Sequence, residues 1–406
     1  MTVSPVQAPA ARVAPPPHAE ARASQRLAGV DVLRGAVMVL MALDHVRVYF
    51  SAEPLGPLES ISPQLFTMRW VTHFCAPVFV FLAGAGAFLH GRRTSRAELA
   101  RYLATRGAWL ILLELTLIRL AWTFNLGWGE FMLAGVIWVI GLSMLCLAGL
   151  VLLPRAALLA FGLVLVFGHD FLGQGLRHLP FAWLAQVLYF GGRIQLGANG
   201  PTLAILYSLV PWAGVMALGY AFGAVLASEE RRRRTLCRVI GGSAIGLFLV
   251  LRGLNLYGDP SSWAPSERGG LFTLFSFVNT NKYPASLLFL LMTLGPSIAL
   301  LPLLEKSTGA LARPLAVFGR VPLFYYLLHI PLIHVLALGL VLARTGSIPA
   351  WLHGNFPMMP PPPAGLGYGV PAMIALTALV AVLLYFPCRW FAGFKRARSG
   401  GWTSYL

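Results

Sequence analysis

The run Asp31-Val-Leu-Arg34-Gly35, followed closely by Asp44-His45-Val-Arg47, puts four charges and an imidazole into one apolar stretch. A charge in hydrocarbon costs about 2.5–3.5 kcal/mol on insertion scales, so such residues persist where they have partners or a task. Eleven residues at about 100° each make three helical turns plus about 20°, so Arg34 and His45 share one face, about 16 Å apart. A cation near one end and a titratable imidazole near the other fit a site approached from both sides. The next segment opens with Arg69-Trp-Val-Thr72-His73-Phe-Cys-Ala-Pro77, where Arg69 and His73 are neighbours at i,i+4. Asp44, His45, Arg69 and His73 could together supply a general base, its orienter and a clamp for an anion or oxyanion. An imidazole with a pKa near ~6.5 suits base work at neutral pH. The competing reading is that these side chains snorkel to the interface and pair for stability.

Other polar residues are scattered further along. His329 lies mid-segment in Arg320-Val-Pro322-Leu-Phe-Tyr325-Tyr326-Leu-Leu-His329-Ile-Pro331, either lining a site or sitting satisfied in a core. Tyr325, at i−4, is within reach of a hydrogen bond to it, and the two prolines should bend the helix. Asn279-Thr-Asn281-Lys282-Tyr283-Pro284 clusters donors that could bind a sugar or cap the following helix. Glu114 and Arg119 point about 140° apart on a helix, so each is expected to pair across helices in a structural salt bridge. Gly84 and Gly86 read as small residues that let helices approach. The four cysteines (Cys75, Cys146, Cys237, Cys388) have no CxxC spacing and read as buried apolar residues, so neither a metal nor a disulfide framework is expected.

The elements that position these residues are helices in a bilayer. Of 406 residues 57% are hydrophobic and 11% charged, with a mean hydropathy of +0.72. Repeated apolar runs of about twenty residues specify an all-α, polytopic integral membrane helical bundle. The net charge of +17 is spread in short clusters between spans, which excludes a nucleic-acid-binding surface. Ten segments stand out, near 30–50, 71–90, 107–124, 131–153, 156–172, 204–227, 236–252, 284–304, 316–343 and 369–391. With ten spans, basic residues favour one set of alternate loops by about three to one, which places both termini in the cytoplasm. Arg231 to Arg234 read as a topology determinant and Pro360 to Pro363 as a stiff spacer. Residues 1–25 read as a disordered cytoplasmic tail, 26–394 as the transmembrane domain and 395–406 as a short cytoplasmic tail.

Several of these motifs resemble a known family. Arg26 to Gly35 with Asp44-His45-Val-Arg47, Thr72 to Gly84, Lys282 to Gly295 and Gly319 to Pro331 are similar to bacterial homologues of heparan-α-glucosaminide N-acetyltransferase. These belong to a wider group of polytopic membrane acyltransferases that modify glycans. The resemblance implies transfer of an acetyl group from cytosolic acetyl-CoA, or another acyl-CoA, to a glycan or small-molecule acceptor across the membrane. It also implies a multi-pass protein of the bacterial inner membrane, with a homo-oligomer as one possibility. The lysosomal enzyme uses a histidine between its first two spans. Residues 51–70 contain none here, and His45 and His73 flank that loop. Related acyltransferases hold histidine or asparagine at the position matching His45.

On this reading His45, polarised by Asp44, is the general base or passes the acyl group on covalently. Arg34 holds donor phosphate, while Arg69 and His73 bind the acceptor or stabilise the oxyanion; Lys282, His329 and Tyr325 are further binding candidates. The rival class is a transporter or flippase of a glycan or lipid-linked intermediate, using the same residues as a relay. A catalytically silent partner subunit is a third.

Overall fold

The computed structural model describes residues 17–398 apart from 55, 349 and 355–361. Most of the expected N-terminal tail, the end of the C-terminal tail and part of the proline run therefore lie outside the described residues. The first helix, α1, runs Pro17–Phe50 and packs against six later helices, which makes it the centre of the bundle. Next come α2 (Pro63–Thr72) and α3 (Cys75–Gly91), near-continuous and separated by a short turn at His73 and Phe74. The start of α2 is set locally: Ser62 caps it by accepting the Leu65 amide, and Pro63 occupies the first turn.

Helix α4 (Arg96–Leu113) begins at a capping box between Ser95 and Glu98. It continues through one π turn, Glu114–Ile118, into α5 (Arg119–Thr123). After the strand β1 (Phe131–Ala134) follow α6 (Val136–Leu150), α7 (Arg155–Leu176) and the short α8 (Ala182–Ala185). Strands β2 (Gly192–Gln195) and β3 (Thr202–Ile205) precede α9 (Leu209–Leu226) and α10 (Glu230–Gly253). The chain closes with α11 (Gly270–Val278), α12 (Leu287–Leu304), α13 (Ala312–Arg320), α14 (Pro322–Thr345) and α15 (Val370–Ala397).

The protein is helical throughout the bundle, and each of the ten apolar segments contains helix, although 131–153 and 204–227 begin on strand. Among the described residues, six stretches are long and apolar enough to cross a membrane: α2 with α3, α9, α10, α12, α14 and α15. Helix α1 has the length but carries Asp31, Arg34, Asp44 and Arg47.

Three local features differ from the sequence reading. A small sheet of order β1-β3-β2, parallel between β1 and β3 and antiparallel between β3 and β2, interrupts the helices. Its apolar strands adjoin helical runs, so hydrophobicity alone merged them with the spans. Pro322 does not bend a helix but starts one, dividing the expected 316–343 span into α13 and α14. The cap of α12 is Ser286, which accepts the Phe289 amide at 3.0 Å, and not the Asn-Thr pair upstream.

Glycines set how closely the core helices approach. A Cβ on Gly35 would lie 1.8 Å from the Leu315 carbonyl oxygen, and one on Gly319 would lie 1.9 Å from that of Asp31. Helices α1 and α13 thus cross backbone to backbone, as small residues permit in a bilayer. Gly84 of α3 serves α9 in the same way, whereas Gly86 has no such neighbour and faces a cavity.

Candidate functional site

Two cavities meet near the middle of the bundle, one toward each end of the α1 stripe. The first, about 350 Å³, is lined by Arg34, His90, Tyr102, Arg106, Arg320 and Lys395 among apolar neighbours. No acidic residue lines it among the described residues. Arg34 donates to the Gly319 carbonyl at 2.9 Å, held there by the close α1–α13 crossing. Asp31, outside the cavity, lies 3.5 Å from Arg34 and 3.7 Å from Arg320. His90 stacks on Tyr102 with ring centroids 4.4 Å apart, and Arg106 donates to the Tyr102 hydroxyl at 3.0 Å. Three arginines and a lysine beside a stacked ring pair make a surface for a phosphorylated, aromatic ligand.

The second cavity, about 160 Å³, gathers Asp44, His45, Arg69, Thr72, His73, Glu114, Tyr207 and Lys282. Tyr326 and Val136 line both cavities and form the wall between them. The sequence stripe is thus two-sided in space: Arg34 opens to one cavity and His45 to the other.

His45 Nδ1 lies 2.7 Å from His329 Nε2. On its other side, His329 Nδ1 faces the carbonyl oxygens of Tyr326 at 2.7 Å and Tyr325 at 3.2 Å. Carbonyls only accept, so in the neutral pair His329 carries its proton on Nδ1 and presents a lone pair at Nε2. His45 must then donate from Nδ1, which leaves its own Nε2 as the basic nitrogen. Trp122 packs edge-on against the His45 ring at 4.8 Å and fixes its plane. A backbone-anchored chain of two imidazoles therefore orients the base.

This corrects the part expected of Asp44. Its carboxylate does not hydrogen-bond His45 and acts on it only through space; it accepts from Arg47 at 3.1 and 3.2 Å and from the Thr72 hydroxyl at 3.2 Å. Tyr325 is corrected too. Its carbonyl, not its hydroxyl, meets His329; the hydroxyl is buried without a partner, and the residue lines neither cavity. The ring instead stacks on His329 at 5.5 Å.

Arg69 and His73 both line the His45 cavity, as their spacing foretold. His73 is 5% exposed, with its Nδ1 unpartnered, at the break between α2 and α3. Lys282 is flanked by the rings of Tyr207 and Tyr283 at 5.8 and 5.3 Å. Burial works to lower its pKa, but the oxygens of Tyr207, Tyr283 and Asp44 outweigh that and raise it above the usual lysine range. The ammonium therefore stays charged. Neither Arg69 nor Lys282 has a carboxylate partner among the described residues.

Glu114 and Arg119 do not form the expected interhelical salt bridge through Glu114. The Glu114 carboxylate, on the π turn, accepts the Trp138 amide at 3.0 Å and so caps α6 beside the cavity. Arg119 donates to the carbonyls of Asn125, Gly127 and Phe131 and ties down the loop that leads to β1.

Sequence reasoning missed Tyr326, Arg106, Lys395 and Tyr207 as lining residues. Tyr326 stands beside His329 in a motif already singled out, and Tyr102 with Arg106 is an i,i+4 pair. Arg106 and Lys395 read as topology charges because nothing in their local pattern marks which loop cations turn inward.

No curated protein matches the chain. The model of the heparan-α-glucosaminide N-acetyltransferase catalytic family matches residues 26–257, more than half of the chain, including α1 from residue 26 onward and the His73 turn. Both the apolar helices and this match make the chain a multi-pass membrane protein that belongs to the heparan-α-glucosaminide N-acetyltransferase family.

Proposed function

We propose that the chain moves an acetyl group from acetyl-CoA, bound in the Arg34 cavity, to an acceptor hydroxyl or amine in the His45 cavity. The observation that carries this reading is the shared wall: Tyr326 and Val136 line both a basic chamber and one holding an oriented base. Arg34, Arg106, Arg320 and Lys395 hold the donor's phosphates, and the apolar wall between Met38 and Met144 receives its chain. Basic residues concentrate in the loops at the Arg34 end, which supports a cytoplasmic position for that end, where acetyl-CoA is made. Ten spans with both termini cytoplasmic complete this arrangement.

In the transfer, His45 Nε2 takes the proton of the acceptor nucleophile as its oxygen or nitrogen bonds to the thioester carbon. The carbon–sulfur bond breaks, and the thiolate leaves with the electron pair and takes up a proton. Arg69, Lys282 and His73 hold the acceptor and the developing negative charge; Asp44 keeps Arg47 neutralised beside them. The acetyl end of the donor reaches past Tyr326 and Val136 to meet the nucleophile, and holding the two together there supplies the orientation that dominates such catalysis. A transporter using the same residues as a relay would not need a basic chamber beside an oriented imidazole pair.

The test is incubation of the purified protein in nanodiscs with radiolabelled acetyl-CoA, with and without hexosamine acceptors. Acetyl transfer that is lost in His45→Ala supports the reading. Absence of both transfer and CoA release with every acceptor, in protein that still binds acetyl-CoA, refutes it.

A further inference from the structure

The His45 cavity does not end at its own walls. Arg69, Lys282 and Tyr283 also line a polar vestibule of about 210 Å³ built from Asp259, Asn279, Thr280 and Asn281. In another direction, Leu206 and Tyr283 also line an open groove of about 510 Å³ between the sheet and Pro284. This groove runs along Phe190, Ile205 and Leu206, with Arg193 on its rim. Its β2 side is nearly bare, because Gly191 and Gly192 sit at φ +67° and +107° and place no side chain over it. The segment leading into the groove exposes Phe181 (57%) and Trp183 (53%), as chain that rests in a membrane interface does.

Three spaces of different chemistry thus join at Tyr283: polar, reactive and apolar. A wholly polar acceptor would leave the apolar arm wet. An amphiphile fills all three, its polar head among Asn279, Asn281 and Arg69, its nucleophile at His45 and its chain leaving along Ile205 and Leu206. Arg193 offers a cation to an anionic linkage between head and chain. From this junction we propose that the acceptor is a lipid-linked saccharide, which enters sideways from the bilayer along the groove. The inference rests on the acyltransferase reading and names the acceptor class for it.

The experiment uses the full chain in nanodiscs, radiolabelled acetyl-CoA, and two probes: free glucosamine and farnesyl glucosaminide carrying a diazirine on the farnesyl chain. Burying even two methylenes of the chain should give the glycoside at least about a tenfold advantage in kcat/KM. Arg193→Trp, which crowds the groove from an exposed position, should cut that ratio toward one. Irradiation without acetyl-CoA should place the label within residues 190–208 or on Tyr283 and Pro284, with unlabelled glycoside competing it away. Equal use of both sugars, or label confined to the bilayer-facing sides of α10 and α15, overturns the proposal while the acetyl-transfer reading stands. Competed label in the groove without transfer to any acceptor leaves the groove assignment in place and defeats the acyltransferase reading.

Discussion

His329, expected from the sequence to bind substrate, lines neither cavity, yet it should control turnover. Replacing it with phenylalanine keeps a ring in the buried space and removes the acceptor 2.7 Å from His45 Nδ1. A buried donor left unsatisfied costs about 1–3 kcal/mol. At about 1.4 kcal/mol per factor of ten, that predicts a fall in kcat of about 5- to 150-fold. His45→Ala removes the base itself and should cost about 10²–10⁴-fold. Glutamine at 329 can still accept from His45 through its amide oxygen, so His329→Gln should recover most of the loss. Because His329 acts through His45, the double variant His45→Ala/His329→Phe should be no slower than His45→Ala alone. The assay is single-turnover acetyl transfer in nanodiscs, with thermal unfolding run in parallel to confirm that each variant is folded. Wild-type turnover in His329→Phe would show that the imidazole pair does not orient the base. So would a double variant slower than His45→Ala by the full His329 factor, since that would show two independent contributions.

Two further predictions follow from the packing. Gly35→Ala drives a methyl into the Leu315 carbonyl and should destabilise the protein by about 1–3 kcal/mol, read as a lowered unfolding midpoint. The same change shifts Arg34 from Gly319, so KM for acetyl-CoA should rise; an unchanged midpoint and KM would count against the close α1–α13 crossing. Tyr326→Ala thins the wall between the cavities and should admit water to the thioester, so CoA release without acceptor should rise several-fold over wild type. Unchanged release would argue that Val136 and its neighbours seal the two chambers by themselves.

The membrane class, the helical segments and the placement of Arg34 and His45 on one face of α1 were all legible in the sequence. Each depends on composition or on the fixed periodicity of a helix, which a local window records. The i,i+4 pairing of Arg69 and His73 was legible for the same reason. The tertiary structure decided which partners these residues take. Asp44, next to His45 in sequence, turns to Arg47 and Thr72, while His45 finds its orienter 284 positions away on α14. No local pattern encodes that meeting, because it depends on how α1, crossing α13 at a glycine contact, packs against α14. The inward turn of Arg106 and Lys395 has the same origin: a loop cation and a cavity cation have identical local signatures until the helices that carry them are packed. The sheet that shapes the lateral groove also came only from the fold, since four-residue apolar strands beside helices leave no period of their own.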